Sequence, residues 1–382
     1  MTLAMLQIGM EWFTEYPGGL NRVYAHLLAE FAKEQDVALY GLVSGSPDVE
    51  RTSAGLAHSF AAPDAPVLAR LRALRGMALP WLRAHGSDTL IVSHFALHAL
   101  PLVDQLKRHP FVVHFQGPWG QESRAESASD FSVAAKEFIE RQVYTRADAA
   151  IVLSHSFGDI LTSRFRVPHE RVHVIPGGVD MGRFAQTRTR DDCRRALGWP
   201  TDRPIVLCVR RLVHRTGLGS LIAAADDIRR RVPDALILIA GTGPLAAELQ
   251  RAITERQLGH TVRMLGVVSD RQLPLAYCAA DVSVVPSHSL EGFGLVAVES
   301  LAAGTPCVVT PVGGLTEIIS PLSPQLIATS TEPADIADVL AGALLGERPL
   351  PSAQECARYA RANFDWPVVA ARVRAVYQQV QR

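Results

Sequence analysis

The stretch Val282-Ser283-Val284-Val285-Pro286-Ser287-His288-Ser289-Leu290-Glu291-Gly292-Phe293-Gly294-Leu295-Val296-Ala297-Val298-Glu299, running on to Gly304, decides how this chain is read. Residues 282–285 form an apolar, β-branched run that Pro286 ends, which predicts a buried strand. A polar loop follows, carrying Glu291 and two glycines. The apolar run after it predicts a helix to about Ala303, with Gly304 in the position that closes helices. A strand, a glycine loop and a helix in that order leave free N–H groups and the positive end of a helix dipole facing one point. Gly292 and Gly294 let a ligand approach that backbone, and an anion, a phosphate above all, suits it. Glu291 precedes the helix and Glu299 lies inside it, so the two are expected to touch different parts of one ligand. A carboxylate accepts two hydroxyl hydrogen bonds, which fits the diol of a sugar or a ribose.

Outward from this segment, apolar strand-like runs alternate with helical patterns. This predicts an α/β protein with parallel sheets. Strands are expected at 3–8, 37–43, 89–92, 111–115 and 149–153, and again at 205–209, 236–240, 262–265, 282–285 and 307–310. Leu20, Val23, Tyr24, Leu27, Leu28 and Phe31 fall on one helical face. Residues 46–80 are weakly patterned and are expected to give a loop and a surface helix. The break at Ile175-Pro176-Gly177-Gly178-Val179-Asp180 separates two strand series. Two doubly wound, Rossmann-like domains are therefore expected, 1–175 and 176–363, with a hinge near 176–184. A closing helical segment, 364–382, is expected to pack back on the first domain.

Composition limits the function. Lys plus Arg is 38 and Asp plus Glu is 38, a net charge of zero over 382 residues. General nucleic-acid binding needs a basic excess, so no nucleic-acid partner is expected. No apolar run reaches the roughly 18 residues of a membrane span, and a cytoplasmic protein is expected. Peripheral contact with the inner face of a membrane would need a local patch, and Arg70, Arg72, Arg75 and Arg83 supply the one candidate. The five cysteines, 193, 208, 278, 307 and 356, form no CxxC and are read as free thiols. His94 and His98 stand four apart without a HExxH carboxylate, so no metal site is expected. GxSxG and GxxxxGK[ST] are absent, which removes the α/β-hydrolase and P-loop readings.

Other segments carry chemistry more weakly. Arg211 and Arg215, in Val209-Arg210-Arg211-Leu212-Val213-His214-Arg215-Thr216-Gly217, stand four apart in a strand-to-helix loop. Their planar forks could converge on a diphosphate. Tyr16-Pro17-Gly18-Gly19-Leu20 opens the first helix with paired glycines but lacks the GxGxxG dinucleotide fingerprint. Ala240-Gly241-Thr242-Gly243-Pro244 follows a strand of the second half.

Taken together these residues resemble the retaining glycosyltransferase family 4, whose members have the GT-B fold of two Rossmann-like domains facing a cleft. Glu291 and Glu299 match its E-x7-E motif within EGFGLVAVESLAAGTPCVVTPVGGLTEII. VIPGGVDMGRF (174–184), IVLSHSFGDIL (151–161), AGTGP (240–244) and AADVSVVPS (279–287) match further segments. The resemblance implies transfer of a hexose from an α-linked UDP- or GDP-sugar to an acceptor hydroxyl with retention. It implies that Glu291 lies against the donor sugar and that Glu299 holds the ribose hydroxyls. Backbone N–H groups of Phe293, Gly294 and Leu295 would hold sugar and phosphate oxygens. Arg211 would bind the diphosphate, Gly18 and Gly19 would approach it, and the base would lie near Gly266 and Val267. The implied partners are a nucleotide-sugar donor and a glycan, lipid-linked or small-molecule acceptor, with no cofactor and no metal.

The chain departs from the family's pattern twice. The family's lysine, four to five residues beyond the arginine, is replaced by Arg215 and Thr216, and Arg215 is expected to supply the charge. The family's histidine before glycine is Gln116 here. His114, two residues earlier, lies on the same face of the strand, so either side chain could reach the sugar. Trp119 is either a sugar platform or a loop anchor. A GT-B epimerase or phosphorylase, a glycoside hydrolase and a non-catalytic nucleotide-sugar binder are the competing functions. The hydrolase needs its two carboxylates facing across one bond, which Glu291 and Glu299 do not suit.

Overall fold

The computed structural model describes residues 3–125 and 128–381; Met1, Thr2 and Arg382, at the ends of the expected elements, lie outside them. The chain divides into two compact units, residues 1–177 with 366–382, and residues 178–365. Both are parallel sheets with helices between the strands.

In the first unit the strands are β1 (Leu3–Glu11), β2 (Val37–Ser44), β3 (Ala57–Ala61), β4 (Leu90–Ser93), β5 (Phe111–Phe115), β6 (Ala149–Val152) and β7 (Val172–Val174). They lie in the order β3-β2-β1-β4-β5-β6-β7. Parallel strands covered on both faces read as continuous apolar runs. β4, β5 and β6 are buried at every residue. β3 and β7 are additions to the sequence expectation. Residues 46–80 hold β3 and part of the helix Val67–His85, not only a loop and a surface helix.

The helix Gly19–Phe31 buries Val23, Tyr24, Leu27, Leu28 and Phe31, the face read from its periodicity. The last helix, Trp366–Val380, belongs to this first unit. Its Trp366, Val369, Ala370, Val373 and Tyr377 recur at helical spacing and pack with Met5, Leu90, Val92 and Val112. Each of the buried valine, leucine and methionine side chains contributes roughly 1.5–3 kcal/mol.

The second unit has β8 (Ile205–Val209), β9 (Leu236–Ala240), β10 (Val262–Gly266), β11 (Val282–Val285) and β12 (Cys307–Val309), in the order β10-β9-β8-β11-β12. The chain enters this unit and leaves it side by side: the Val179 N–H donates to the Phe364 carbonyl at 2.7 Å, and Val179 and Asp365 form a bridge. Buried Arg194, in the helix Arg190–Leu197, ties that helix to the segments that lead into β8 and β11, donating to the carbonyls of Arg203 and Ala279 and to Asp281. Among the described residues no helix is long and apolar enough to cross a membrane.

Candidate active site

β8 and β11 are neighbours, yet the chain leaves them in opposite directions. β8 leads to β9 and β10 on one side, and β11 leads to β12 on the other. Open parallel sheets bind ligands beyond the carboxyl ends of the strands at such a switch point. The segment after β8 begins with Arg210, whose N–H donates to the Ala240 carbonyl at 2.9 Å, while the Leu212 N–H donates to Thr242 at 2.9 Å. The loops after β8 and β9 therefore run together. The loop after β11 joins them where the His288 N–H meets the Arg215 carbonyl at 2.9 Å.

Glu291 lies in that loop, 9% exposed. Its Oε2 accepts from the Ser287 hydroxyl at 2.8 Å and from Arg210 Nη2. Arg210 Nη2 also contacts Ser287 Oγ at 3.0 Å. The backbone of Glu291 is held separately, because its carbonyl accepts from the Gly314 N–H at 3.0 Å. Gly313 makes that approach: at φ +54 it lies so close that a Cβ would stand 2.0 Å from the Glu291 oxygen. Gly294, at φ +86, then caps the helix Leu295–Ala302. Glu299, inside this helix, is 3% exposed, and its Oε2 accepts from the Tyr277 hydroxyl at 3.2 Å.

The remaining positions of this unit fall around these two carboxylates in different ways. Arg211 is exposed. Arg215 is half-buried, with Nη1 at 3.5 Å from the Leu290 carbonyl. Gly292 is buried, and the buried Phe293 ring packs edge-on against Phe364, so what Phe293 can offer a ligand is its backbone. Leu295 is half-buried at the start of its helix. Gly266 ends β10, and Val267 beyond it is 75% exposed, an uncovered apolar surface at a strand end.

In the first unit the switch point falls between β1 and β4. Gly18 and Gly19 are exposed at the start of the helix Gly19–Phe31, and Gly18 is extended and caps it without a side chain. Gln116 is half-buried just beyond β5, with Nε2 at 3.0 Å from His94 Nδ1. His114 corrects the expectation that either side chain of this pair could reach a sugar. It is 4% exposed, and its Nε2 lies 2.7 Å from the Tyr377 hydroxyl. Burial lowers its pKa to about 3, so it is a neutral core imidazole. Strand alternation put His114 and Gln116 on one face, and the helix Trp366–Val380 covers that face at 114. Trp119 is a loop anchor as much as a surface. Its backbone N–H donates to buried Glu140 at 2.8 Å, its ring meets Phe95, and Lys136 lies over that ring at 5.0 Å.

Two family models divide the chain between them. Residues 17–183 match Glycosyltransferase Family 4, and residues 189–363 match Glycosyl transferases group 1. The D-inositol 3-phosphate glycosyltransferase of Corynebacterium efficiens is 31% identical over 324 residues, covering 81% of this chain and 76% of that protein.

The chain belongs to glycosyltransferase family 4.

Another relative, the D-inositol 3-phosphate glycosyltransferase of Xylanimonas cellulosilytica, is 32% identical over 252 residues, 64% of this chain. The chain spans 60% of that relative's length. Among solved structures, Anabaena HepE in complex with UDP and glucose matches with a TM-score of 0.78 at 19% identity, over 99% of this chain and 100% of that one. That likeness is one of fold, and the fold is GT-B.

As a family 4 chain, this one carries its two motif carboxylates in different settings. Glu291 is clamped by a cation and a hydroxyl, and Glu299 is met by a phenol. Sequence reasoning gave no role to Arg210, Ser287 or Tyr277. Arg210 was legible only as one of two adjacent arginines. The β8–β11 pairing, which joins segments some 70 residues apart in sequence, decides that Arg210 and not Arg211 faces Glu291.

Proposed function

We propose that this chain transfers a hexose from a UDP- or GDP-hexose to an acceptor hydroxyl, with retention of anomeric configuration and without a metal ion. The observation that carries this reading is Glu291 at the switch point of the second unit, nearly buried and clamped, with Glu299 in the helix that follows. Glu291 would hold hydroxyls of the donor hexose and Glu299 those of the ribose. Arg211, Arg215 and the N–H groups of Phe293, Gly294 and Leu295 would hold the diphosphate, with Gly266 and Val267 against the base. In the first unit the proposed ligand contacts are the Gly18 and Gly19 amides and the Gln116 carboxamide.

As the bond from the anomeric carbon to the phosphate oxygen breaks, its electron pair goes to the diphosphate, and the carbon becomes oxocarbenium-like. The acceptor oxygen bonds to that carbon on the same face, and its proton passes to the departing phosphate oxygen. Fixed cations and helix amides aimed at the diphosphate stabilise this charge more in the transition state than in the ground state. They supply the role a divalent ion would fill. The relatives' names support a phosphorylated polyol as the first acceptor to try.

The test is a thermal-shift screen of UDP-, GDP- and ADP-hexoses, followed by an assay of nucleoside diphosphate release. A true donor at 100 times its Kd stabilises the fold by about 2.7 kcal/mol. Release should be abolished in Glu291→Ala and Arg211→Ala and unchanged by EDTA. Normal turnover in both variants refutes the site, and loss of turnover with EDTA refutes metal independence.

A further inference from the structure

Arg210 is the cation nearest Glu291, yet the family resemblance gives it no part. Its side chain is 8% exposed. Buried arginines cost stability unless their donors are met, and Arg210 Nε is buried with no partner. Stability alone gives no reason to keep such a group, and local rules are broken most often at functional sites. The chain has three lysines, at 33, 107 and 136, so every Lys/Arg-type cation of the second unit is an arginine.

The contacts are specific to one atom. Arg210 Nη2 and the Ser287 hydroxyl both donate to Glu291 Oε2. Among the described residues, Oε1 receives no hydrogen bond. Ser287 in turn lies 3.0 Å from Arg210 Nη2, so the three groups close a triangle on one side of the carboxylate. A carboxylate free to rotate would offer either oxygen in a range of directions. Two donors on Oε2, one of them charged, remove that freedom.

We propose that Arg210 is a positioning residue for Glu291: with Ser287 it pins Oε2 and leaves Oε1 as the acceptor presented to a hydroxyl of the donor sugar. This rests on the nucleotide-sugar reading above. Arg210 acts through Glu291, so its removal matters only while residue 291 is a carboxylate that needs orienting.

The test is a double-mutant cycle on the full chain, with nucleoside diphosphate release measured under single-turnover conditions and KM separately. Loss of a charge-assisted hydrogen bond predicts that Arg210→Met lowers kcat by about 10- to 100-fold, with KM changed by less than about threefold. In a Glu291→Gln background the same change should alter kcat by less than about threefold. Ser287→Ala should give a smaller loss with the same background dependence, and Arg210→Lys should fall between wild type and Arg210→Met. Ser287→Ala and Arg210→Lys keep the proposal testable if Arg210→Met does not fold by thermal unfolding. Wild-type kcat in Arg210→Met, or losses that multiply fully in the double variant, overturns the proposal while wild-type turnover leaves the nucleotide-sugar reading intact. A wild-type protein that turns over no nucleotide sugar overturns that reading and this proposal with it.

Discussion

Gly313→Ala tests whether the loop after β12 sets the position of Glu291. Gly313 has φ +54 and ψ −136, a conformation that side chains with a Cβ rarely adopt. A Cβ there would stand 2.0 Å from the Glu291 carbonyl oxygen and 3.0 Å from its carbon. Real Cβ atoms essentially never come within 3.0 Å of such an atom, so the two segments must part by roughly 1 Å. That movement breaks the 3.0 Å bond from the Gly314 N–H to the same oxygen. The backbone strain costs about 1–3 kcal/mol and the lost bond about 1 more. For a unit of this size the melting temperature should fall by about 5–15 °C. A shift of about 1 Å at a reacting group lowers turnover by about 100-fold. Gly198→Ala is the control. Gly198, at φ +67, also sits in the left-handed region, but a Cβ there meets nothing within 4 Å. It should lose about 1–2 kcal/mol and keep its activity. Differential scanning calorimetry with the nucleoside diphosphate release assay reads both quantities. Turnover in Gly313→Ala within about threefold of wild type would refute the coupling of this loop to Glu291. So would equal activity losses in the two variants.

Two predictions concern pH. Burial lowers the pKa of His98 to about 4 and of His114 to about 3, from an ordinary 6.5, so both are neutral in the fold. Their stabilisation is complete above pH 6.5 and is lost as pH falls toward those values, by about 2 kcal/mol each at pH 5; urea unfolding at pH 7 and pH 5 should show a loss that shrinks by about that amount in His114→Leu. Glu140 goes the other way: burial raises its pKa from 4.5 to about 7, against the lowering by the Gly120 and Trp119 N–H groups. The folded state keeps the proton that the unfolded state has released, so stability falls as pH rises from 4.5 to 7 and levels off about 3 kcal/mol lower. Glu140→Gln should abolish that slope in urea unfolding between pH 5 and pH 8, and an unchanged slope would count against a protonated Glu140.

Most strands were legible because buried parallel strands are continuous apolar runs. The two that were not, β3 (AHSFA) and β7 (VHV), are the edge strands of their sheet. An edge strand is covered less, so selection for an apolar run is weaker and periodicity fades. The candidate site is legible where its residues are local in sequence. Glu291, the glycines and Glu299 lie on one strand–loop–helix unit, so spacing alone relates them. His114 was misjudged because alternation fixes a side but not what covers it, and its cover is Tyr377, 263 residues further on. Arg210 shows no role in the sequence for the same reason, since its partners Ser287 and Glu291 lie in the loop after a different strand, β11.

The zero net charge takes on a different meaning beside this geometry. A polyanion is attracted by excess charge spread over a surface, and this chain has none. A diphosphate site needs a few donors that already point at one place, because it is orientation that survives in a low-dielectric cleft without reorganisation. In the site proposed for the second unit, arginines and backbone N–H groups would meet that need, because the unit has no lysine. A lysine presents one mobile point charge, whereas an arginine divides its donors among fixed directions. Arg210 uses one nitrogen to hold both Ser287 and Glu291. Because that nitrogen and the Ser287 hydroxyl both meet Oε2, the cation serves a neighbouring carboxylate and still leaves its other oxygen open to a ligand. The Arg210–Glu291 pair is charge-balanced within itself. Such a pair adds nothing to the net charge, and replacing Arg210 by a lysine would keep the charge while losing the alignment that makes it useful.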